Sequence, residues 1–302
     1  MSTSESAAAA ADALVRRLVD DAAVFPPGNA PMDRALTAHR EHHGSWYAAL
    51  VGPFLCADTR LPELARALPA AAEPLQIALV VTGGAGAIEP ALTWVAREPR
   101  VGLAAVEVAL RTSDDPSAGA RRITTVLESS LPENVVAYVE MPRPDDPARL
   151  APGWLGALDE IAAAGHRVKY RTGGLEAGDC PGEWELAALL GAALDRELAL
   201  KCTAGLHGAV RRTAPVNGFE EHGFLNVALS VHAALDGADT ADIAATLALR
   251  DRNAVAERAR ALSAAQVTSM RRWFTSFGSC SVTDPLDELV ELGLFSKEMV
   301  DG

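Results

Sequence analysis

Short apolar segments alternate with amphipathic segments along most of the chain. The apolar segments are typical of buried strands, and the amphipathic ones repeat their apolar residues at helical spacing. Because each apolar segment is followed by a helical one, the pattern indicates parallel strands joined by helices. Eight strands are predicted, at residues 22–25, 49–56, 76–81, 102–110, 135–141, 167–171, 198–203 and 274–280.

Eight such units predict a (β/α)8 TIM barrel, forming a single domain over residues 1–302. Residues 1–20 read as an N-terminal helix, and residues 241–260 as an extra helical segment before the last strand. The alternative is an open, doubly wound sheet. The nearest approach to its dinucleotide-binding motif, residues 83–86, lacks the third glycine.

The composition narrows the class of protein. With 49% hydrophobic residues the chain can form a large core, and its net charge of −13 argues against nucleic acid and anionic membrane surfaces. No apolar run is long enough to span a membrane, and the N-terminus lacks the pattern of a signal peptide. The four cysteines form no C-x-x-C pair, so we expect free thiols in a cytoplasmic protein.

Lysine is rare in this chain, which carries 24 arginines and only three lysines, Lys169, Lys201 and Lys297. At positions where the protein needs only a positive charge, arginine can supply it. A buried lysine can lose its proton and attack a carbonyl, whereas arginine stays protonated. Lys169 and Lys201 lie in the sixth and seventh predicted strands, which makes them candidates for this chemistry.

Four charged residues interrupt the apolar strands: Glu107, Glu140, Lys169 and Lys201. Alternation along a strand places Lys169 and Arg171 on one face, and Lys201 and Thr203 likewise. Neighbouring strands are about 4.8 Å apart, so both lysines are predicted to share a pocket inside the barrel.

Burial and adjacent cations both disfavour a charged amine, so the lysine pKa values are predicted to fall. A neutral amine could then form a Schiff base, with Glu107 or Glu140 moving protons. The alternative is that the lysines and glutamates form structural ion pairs in the barrel core.

Two strand motifs carry a resemblance to a known family. The runs Val168-Lys169-Tyr170-Arg171-Thr172-Gly173-Gly174 and Leu200-Lys201-Cys202-Thr203-Ala204-Gly205 resemble the sixth- and seventh-strand motifs of deoxyribose-phosphate aldolases, within the class I aldolase superfamily. Phe277-Gly278-Ser279-Cys280-Ser281 resembles that family's phosphate loop. Other short motifs, including Phe25-Pro26-Pro27, resemble those of an uncharacterised bacterial family.

The resemblance implies a barrel enzyme with no metal and no cofactor. It implies that Lys169 forms the Schiff base and that Lys201 depresses its pKa. It also implies that Gly205, Gly278 and Ser279 bind an anionic end of the substrate. The chain departs from the family where Tyr170 and Arg171 replace small polar residues.

Several polar residues are further candidates. His207 is predicted to move protons at the barrel mouth, and Arg171, Thr203, His222 and Asn226 to contact substrate. A metal site built from Glu107, Glu140 and His207 is the alternative use of these groups. His39, His42 and His43 share one face of a predicted helix and are interpreted as a solvated helix end.

The sequence thus predicts a lyase of the class I aldolase type that acts on a small carbonyl compound, and that self-associates. The alternatives are a barrel isomerase or hydrolase without covalent catalysis, and a non-catalytic barrel that binds a small molecule.

Overall fold

Eight parallel strands close into a barrel. The computed structural model describes residues 3–70, 73–110, 115–215 and 217–301. Each barrel strand pairs with its neighbours in chain order, and the last pairs with the first to close the ring. The barrel strands are β1 Val19–Asp21, β2 Val51–Ala57, β3 Leu75–Val81, β4 Val101–Ala109, β5 Val136–Glu140, β6 Arg167–Arg171, β7 Leu200–Thr203 and β10 Phe274–Ser279.

Between β7 and the next helix, β8 (Arg212–Thr213) and β9 (Glu220–Glu221) form a short antiparallel pair outside the barrel. The predicted (β/α)8 barrel is therefore confirmed, and the open-sheet alternative is wrong because the sheet closes.

Helices follow the strands as predicted. The N-terminal helix ends at Val15, earlier than predicted, and residues 1 and 2 of that prediction lie outside the described residues. The extra helical segment before the last strand is confirmed as part of a run of four helices, α8 to α11. The helices are α1 Thr3–Val15, α2 Met32–His43, α3 Leu61–Ala67, α4 Ala85–Ala96, α5 Pro116–Ser130, α6 Pro152–Ala163, α7 Glu183–Leu194, α8 Phe224–Leu235, α9 Thr240–Leu247, α10 Arg252–Ala261, α11 Ala264–Trp273, α12 Thr283–Glu291 and α13 Lys297–Asp301.

Within the part of the chain that the structure describes, no helix combines the length and apolar character needed to cross a membrane.

The strands bury both faces, as barrel strands must. Their outward residues pack under the helices in one large apolar core, where Tyr170 of β6 stacks on Trp154 of α6 at a centroid distance of 6.5 Å. A second, smaller apolar cluster fills part of the barrel interior, with small side chains from β3 and β4 beside Leu55 and Tyr138. Charged side chains also enter the barrel interior, among them Glu107, Lys169 and Lys201.

The first strand lies earlier than the sequence predicted. Residues 22–25 were expected to form it, but β1 is Val19–Asp21, so Asp20 and Asp21 are inside the strand. They face opposite ways. Asp21 turns outward to α2, where its Oδ2 lies 2.9 Å from Nδ1 of His39, and His39 is only 2% exposed. For His39, the interpretation as a solvated helix end is therefore wrong.

Candidate active site

The two barrel lysines lie side by side. In the ladder between β6 and β7, Lys169 is the register partner of Lys201. Both side chains enter the barrel and are buried, at 3% and 1% exposure. Their neighbours Val168, Tyr170, Leu200 and Cys202 belong to the apolar core outside the barrel, as alternation along a strand requires.

Carboxylates surround both amines. Lys169 Nζ lies 2.7 Å from Glu107 Oε2 and 2.8 Å from Glu140 Oε2. Lys201 Nζ lies 2.5 Å from the other oxygen of Glu107, and it also pairs with Asp20 Oδ2. Glu107 is fully buried, and it binds both lysines at once, one through each carboxylate oxygen.

Lys201 lies at the more enclosed end of this group. Its partner Asp20 accepts a second hydrogen bond from Ser276 Oγ at 2.8 Å. The Lys201 ammonium also sits 5.3 Å from the ring centroid of Tyr138, a cation–π contact. The contacts with Asp20, Glu107 and Tyr138 together hold the Lys201 ammonium group in place.

Lys169 lies nearer to solvent, because its second partner reaches the barrel mouth. Glu140 binds Lys169 through Oε2 and the Arg171 Nε through Oε1, at 3.1 Å. The side chain of Arg171 is 47% exposed, so the open edge of the site is formed by Arg171 and Glu140. We call the six residues the interior charge cluster: Asp20, Glu107, Glu140, Lys169, Arg171 and Lys201.

The predicted fall in the lysine pKa values is wrong. Burial is the largest single influence and lowers the pKa of Lys169, but the charges and hydrogen bonds of Glu107 and Glu140 outweigh it and raise that pKa. Lys201 behaves the same way, because Asp20 and Glu107 outweigh burial and raise its pKa. The sequence reasoning counted neighbouring cations and omitted the carboxylates that contact each amine.

The carboxylates show the complementary effect. Burial raises the pKa of Glu107, but Lys169 and Lys201 together overcome it and lower that pKa to about 2. The pKa of Glu140 is also lowered, since Lys169 and Arg171 outweigh its burial. Asp20 differs, because its burial prevails over Lys201 and raises its pKa.

Several predicted binding residues line the same rim. Thr203 is in register with Arg171 on one side and with Gly278 on the other, so these three positions are contiguous. Gly205 follows at a positive φ of 75°, where a Cβ would come within 3.1 Å of the Thr172 carbonyl oxygen. These positions therefore lie together near the ends of β6, β7 and β10.

Ser279 uses its hydroxyl within the protein. It is 1% exposed, and its Oγ donates to the Ser281 carbonyl at 2.7 Å. That donor is engaged with the loop after β10, so the hydroxyl is committed within the protein, and the contact of Ser279 with an anionic end of the substrate stays a prediction.

His207 lies apart from the predicted metal partners. Its Nε2 is 4.0 Å from Cys280 Sγ and its Nδ1 is 4.0 Å from Asp284 Oδ2. Over residues 3–70, 73–110, 115–215 and 217–301, no group of three or more metal-ligating side chains is arranged to hold an ion. The proposed set of Glu107, Glu140 and His207 is therefore not assembled.

His222 and Asn226 have structural contacts instead of facing a substrate. Asn226 is fully buried, accepts from the Arg211 amide at 2.8 Å, and donates to the carbonyls of Thr246 and Leu249 at 2.9 Å each. His222 is 1% exposed and lies between Arg211 Nη1 at 3.1 Å and a backbone carbonyl at 2.8 Å. The prediction that both residues bind substrate is corrected, since their polar atoms are already paired.

Sequence reasoning missed Asp20 as a member of the site. The signal was present, because Asp20 interrupts the apolar run 18–25 in the same way that Glu107 interrupts β4. Placing the first strand three residues too late put Asp20 outside the barrel.

Comparison with known proteins supports the fold. The chain is similar to the tetrameric structure of deoxyribose phosphate aldolase from Aeropyrum pernix, with a TM-score of 0.52 and 13% sequence identity over 97% of this chain and 100% of that chain. At this identity the likeness establishes the fold alone. No protein-family model matches the sequence, and no curated protein matches it. The resemblance to deoxyribose-phosphate aldolases is therefore confirmed at the level of the barrel fold.

Proposed function

We propose that the protein is a lyase of the class I aldolase type, in which Lys169 binds a small carbonyl compound as an imine. The observation that carries the proposal is the contact of Lys169 with two carboxylates inside the barrel, next to a second lysine. Lys169 is nearer to the open edge than Lys201, because Glu140 and Arg171 link it to solvent. It is therefore the amine that a substrate reaches first.

A protonated resting lysine is compatible with this chemistry. An ammonium and a carbonyl combine to give a protonated imine and one water, so the overall step neither gains nor loses a proton. A nearby base must carry two protons, one after the other, from nitrogen to the carbonyl oxygen, which leaves as water. Glu140 contacts Lys169 directly at 2.8 Å and is placed for this transfer.

Lys201 would then remain charged throughout. Its pKa is raised by Asp20 and Glu107, so it stays an ammonium at neutral pH. A fixed positive charge beside the imine stabilises the negative charge that develops on oxygen or carbon when a carbon–carbon bond breaks.

Trapping with borohydride tests the proposal, since it reduces an imine to a stable amine whose position mass spectrometry can map. We expect aldehydes or ketones to give an adduct on Lys169, and Lys169→Arg to abolish it. Lys297→Arg is the matched control, because it makes the same substitution at an exposed lysine. An adduct that survives Lys169→Arg would contradict the proposal.

The raised lysine pKa values also favour a second candidate, an isomerase or related barrel enzyme without covalent catalysis. In that case both ammoniums orient and polarise a carbonyl, and a carboxylate removes a proton from the neighbouring carbon. Exchange of that proton in heavy water without any trapped adduct would distinguish this function from the first.

We also propose that the chain self-associates in a reducing compartment such as the cytoplasm. Leu175 and Trp184 are 74% and 63% exposed, and the similar aldolase is described as tetrameric. The four cysteines are free, as that compartment requires. Light scattering of the intact protein measures the assembly, and a mass equal to one chain would contradict it.

A further inference from the structure

The guanidinium of Arg171 is only partly used. Its Nε binds Glu140 Oε1 at 3.1 Å, while Nη1 and Nη2 have no partner among the described residues. The side chain is 47% exposed at the barrel mouth. A guanidinium presents its N–H donors in a planar fork that matches a carboxylate, so the free edge is suited to bind one.

Glu140 shows how far Arg171 lies from the reacting amine. The Glu140 carboxylate contacts Lys169 Nζ through one oxygen and Arg171 Nε through the other. The amine and the guanidinium are therefore separated by the width of a carboxylate and two hydrogen bonds. Once a carbonyl carbon is bonded to Lys169 Nζ, an anionic group attached directly to that carbon lies within reach of Arg171.

We infer that Arg171 selects substrates whose carboxylate is bonded to the reacting carbonyl carbon, that is, 2-oxo acids. The inference rests on the proposed imine chemistry at Lys169 and names the substrate class for that site. A longer spacing between carbonyl and anion places the anion beyond the fork, and a neutral substrate leaves the fork unused.

The charge balance of the cluster changes when such an anion binds. At rest, three carboxylates face three cations in the interior charge cluster. A substrate carboxylate beside Glu140 adds like charge, which favours the protonated form of Glu140. Glu140 is thereby a better acceptor for the Lys169 proton when a 2-oxo acid is bound than when a neutral carbonyl is bound.

The resulting step is balanced. Lys169 gives one proton to Glu140, and the freed lone pair of nitrogen forms the bond to the carbonyl carbon. The carbonyl π electrons move to oxygen, which takes the proton back from Glu140. Glu140 then carries a second proton from the carbinolamine nitrogen to its hydroxyl, which leaves as water, and the nitrogen lone pair forms the second C–N bond of the protonated imine, with no oxidant or reductant involved.

Borohydride trapping with two matched probes tests the substrate class. Pyruvate and its neutral amide, pyruvamide, differ only in the charged group. We expect the natural protein to trap pyruvate more efficiently, and Arg171→Gln to reduce the ratio of pyruvate to pyruvamide trapping by about 10- to 100-fold, the range of a charge-assisted hydrogen bond. Arg171→Lys keeps the charge without the fork and is expected to lose part of the ratio.

Arg122→Gln is the control for the change in net charge. Arg122 is exposed on the outer helix α5, away from the barrel mouth, and its substitution is expected to leave the ratio unchanged. Equal trapping of both probes by the natural protein, or a pyruvate preference that survives Arg171→Gln, would overturn the inference.

An unreactive pair separates this inference from the proposed function. Lactate carries the same carboxylate but cannot form an imine, and lactamide is its neutral counterpart. If no carbonyl is trapped, the imine proposal is wrong and calorimetry with lactate decides the role of Arg171. Lactate binding that weakens about tenfold in Arg171→Gln supports carboxylate recognition, whereas unchanged binding overturns it.

Discussion

Two buried polar groups of this barrel differ in how their charges are satisfied. The interior charge cluster holds ammonium and carboxylate groups that share partners. The second group, the loop cluster, consists of Arg211 and His222 in the connection after β7 and of Asn226 in α8. In the loop cluster, Arg211 Nη1 can only donate to His222 Nδ1, so His222 Nε2 carries the proton and donates to the Pro181 carbonyl.

His222 is therefore held neutral. Burial, followed by the charge of Arg211, lowers its pKa to about 4. The polar atoms of His222 and Asn226 all have fixed partners, and Asn226 Nδ2 has two, so no proton can move without breaking that arrangement. In the interior charge cluster, by contrast, Glu107 has two lysine partners and Glu140 has two cationic partners, so a proton can pass between neighbours. Neutral groups with fixed partners, such as those of His222 and Asn226, indicate structure, whereas shared charges that reach solvent through Glu140 and Arg171 are suited to chemistry.

The largest effect that would sharpen this comparison is expected from Glu107→Gln. The change leaves two buried ammoniums without their common carboxylate, and breaking a buried ion pair in this way costs about 3–5 kcal/mol of unfolding free energy. Urea denaturation at neutral pH measures it. The same substitution at Glu160, whose partner Arg121 is largely exposed, is the control and is expected to cost under about 1 kcal/mol. Equal losses of unfolding free energy from the two substitutions would show that the buried ion pairs of Glu107 stabilise the fold no more than the exposed pair of Glu160.

Acid should weaken the two clusters in different pH ranges, because the lowered pKa of His222 costs stability as the pH falls from 6.5 to about 4, whereas that of Glu107 costs stability at lower pH. The pKa of Glu107 is about 2 in the folded protein against an ordinary value of 4.5, so its contribution is complete above pH 4.5 and is lost as the pH falls towards 2. That shift corresponds to about 3 kcal/mol. Asp20 acts in the opposite direction, because its raised pKa favours the folded state at low pH.

We therefore expect the stability difference between the natural protein and Glu107→Gln to shrink between pH 4.5 and 2, as followed by urea titrations at a series of pH values. At the alkaline end, the raised pKa values of Lys169 and Lys201 stabilise the fold below 10.5, and this contribution is lost as the pH rises through the folded values. A difference that stays constant in acid would show that Glu107 keeps no depressed pKa.

A smaller effect on stability is expected in the loop cluster from Asn226→Ala. The substitution leaves the Arg211 amide and the carbonyls of Thr246 and Leu249 unpaired, at a cost of about 2 kcal/mol. Carbonyl trapping at Lys169 should be unchanged, since Asn226 contacts none of the interior charge cluster. Loss of trapping in a folded Asn226→Ala protein would show that the loop cluster and the interior charge cluster act as one site.

The sequence could predict the barrel and part of the site because both follow from local patterns. Strand and helix alternation along the chain was enough for the closed barrel, and alternation within β6 and β7 was enough to turn Lys169 and Lys201 inward. Their charge within otherwise apolar strands likewise marked Glu107 and Glu140 as candidates for the site. These inferences need no knowledge of distant contacts.

The remainder depends on contacts between segments far apart in the chain. Asp20 and Lys201 are 181 residues apart, and no local pattern reports their pairing. Without Asp20 and the shared contacts of Glu107, the lysine pKa values were predicted in the wrong direction. His222 and Asn226 were placed near the mouth because they follow β7, but their loop turns them towards α9 and the β6–α7 connection.

The consecutive aspartates of β1 set a limit on how this chain can evolve. Asp20 binds Lys201 inside the barrel, while Asp21 binds His39 in the helix layer outside. Because adjacent strand residues point to opposite faces, inserting one residue between Asp20 and Asp21 would place both aspartates on the same face. We therefore expect natural relatives that keep both ion pairs to preserve the length of this segment without gaps.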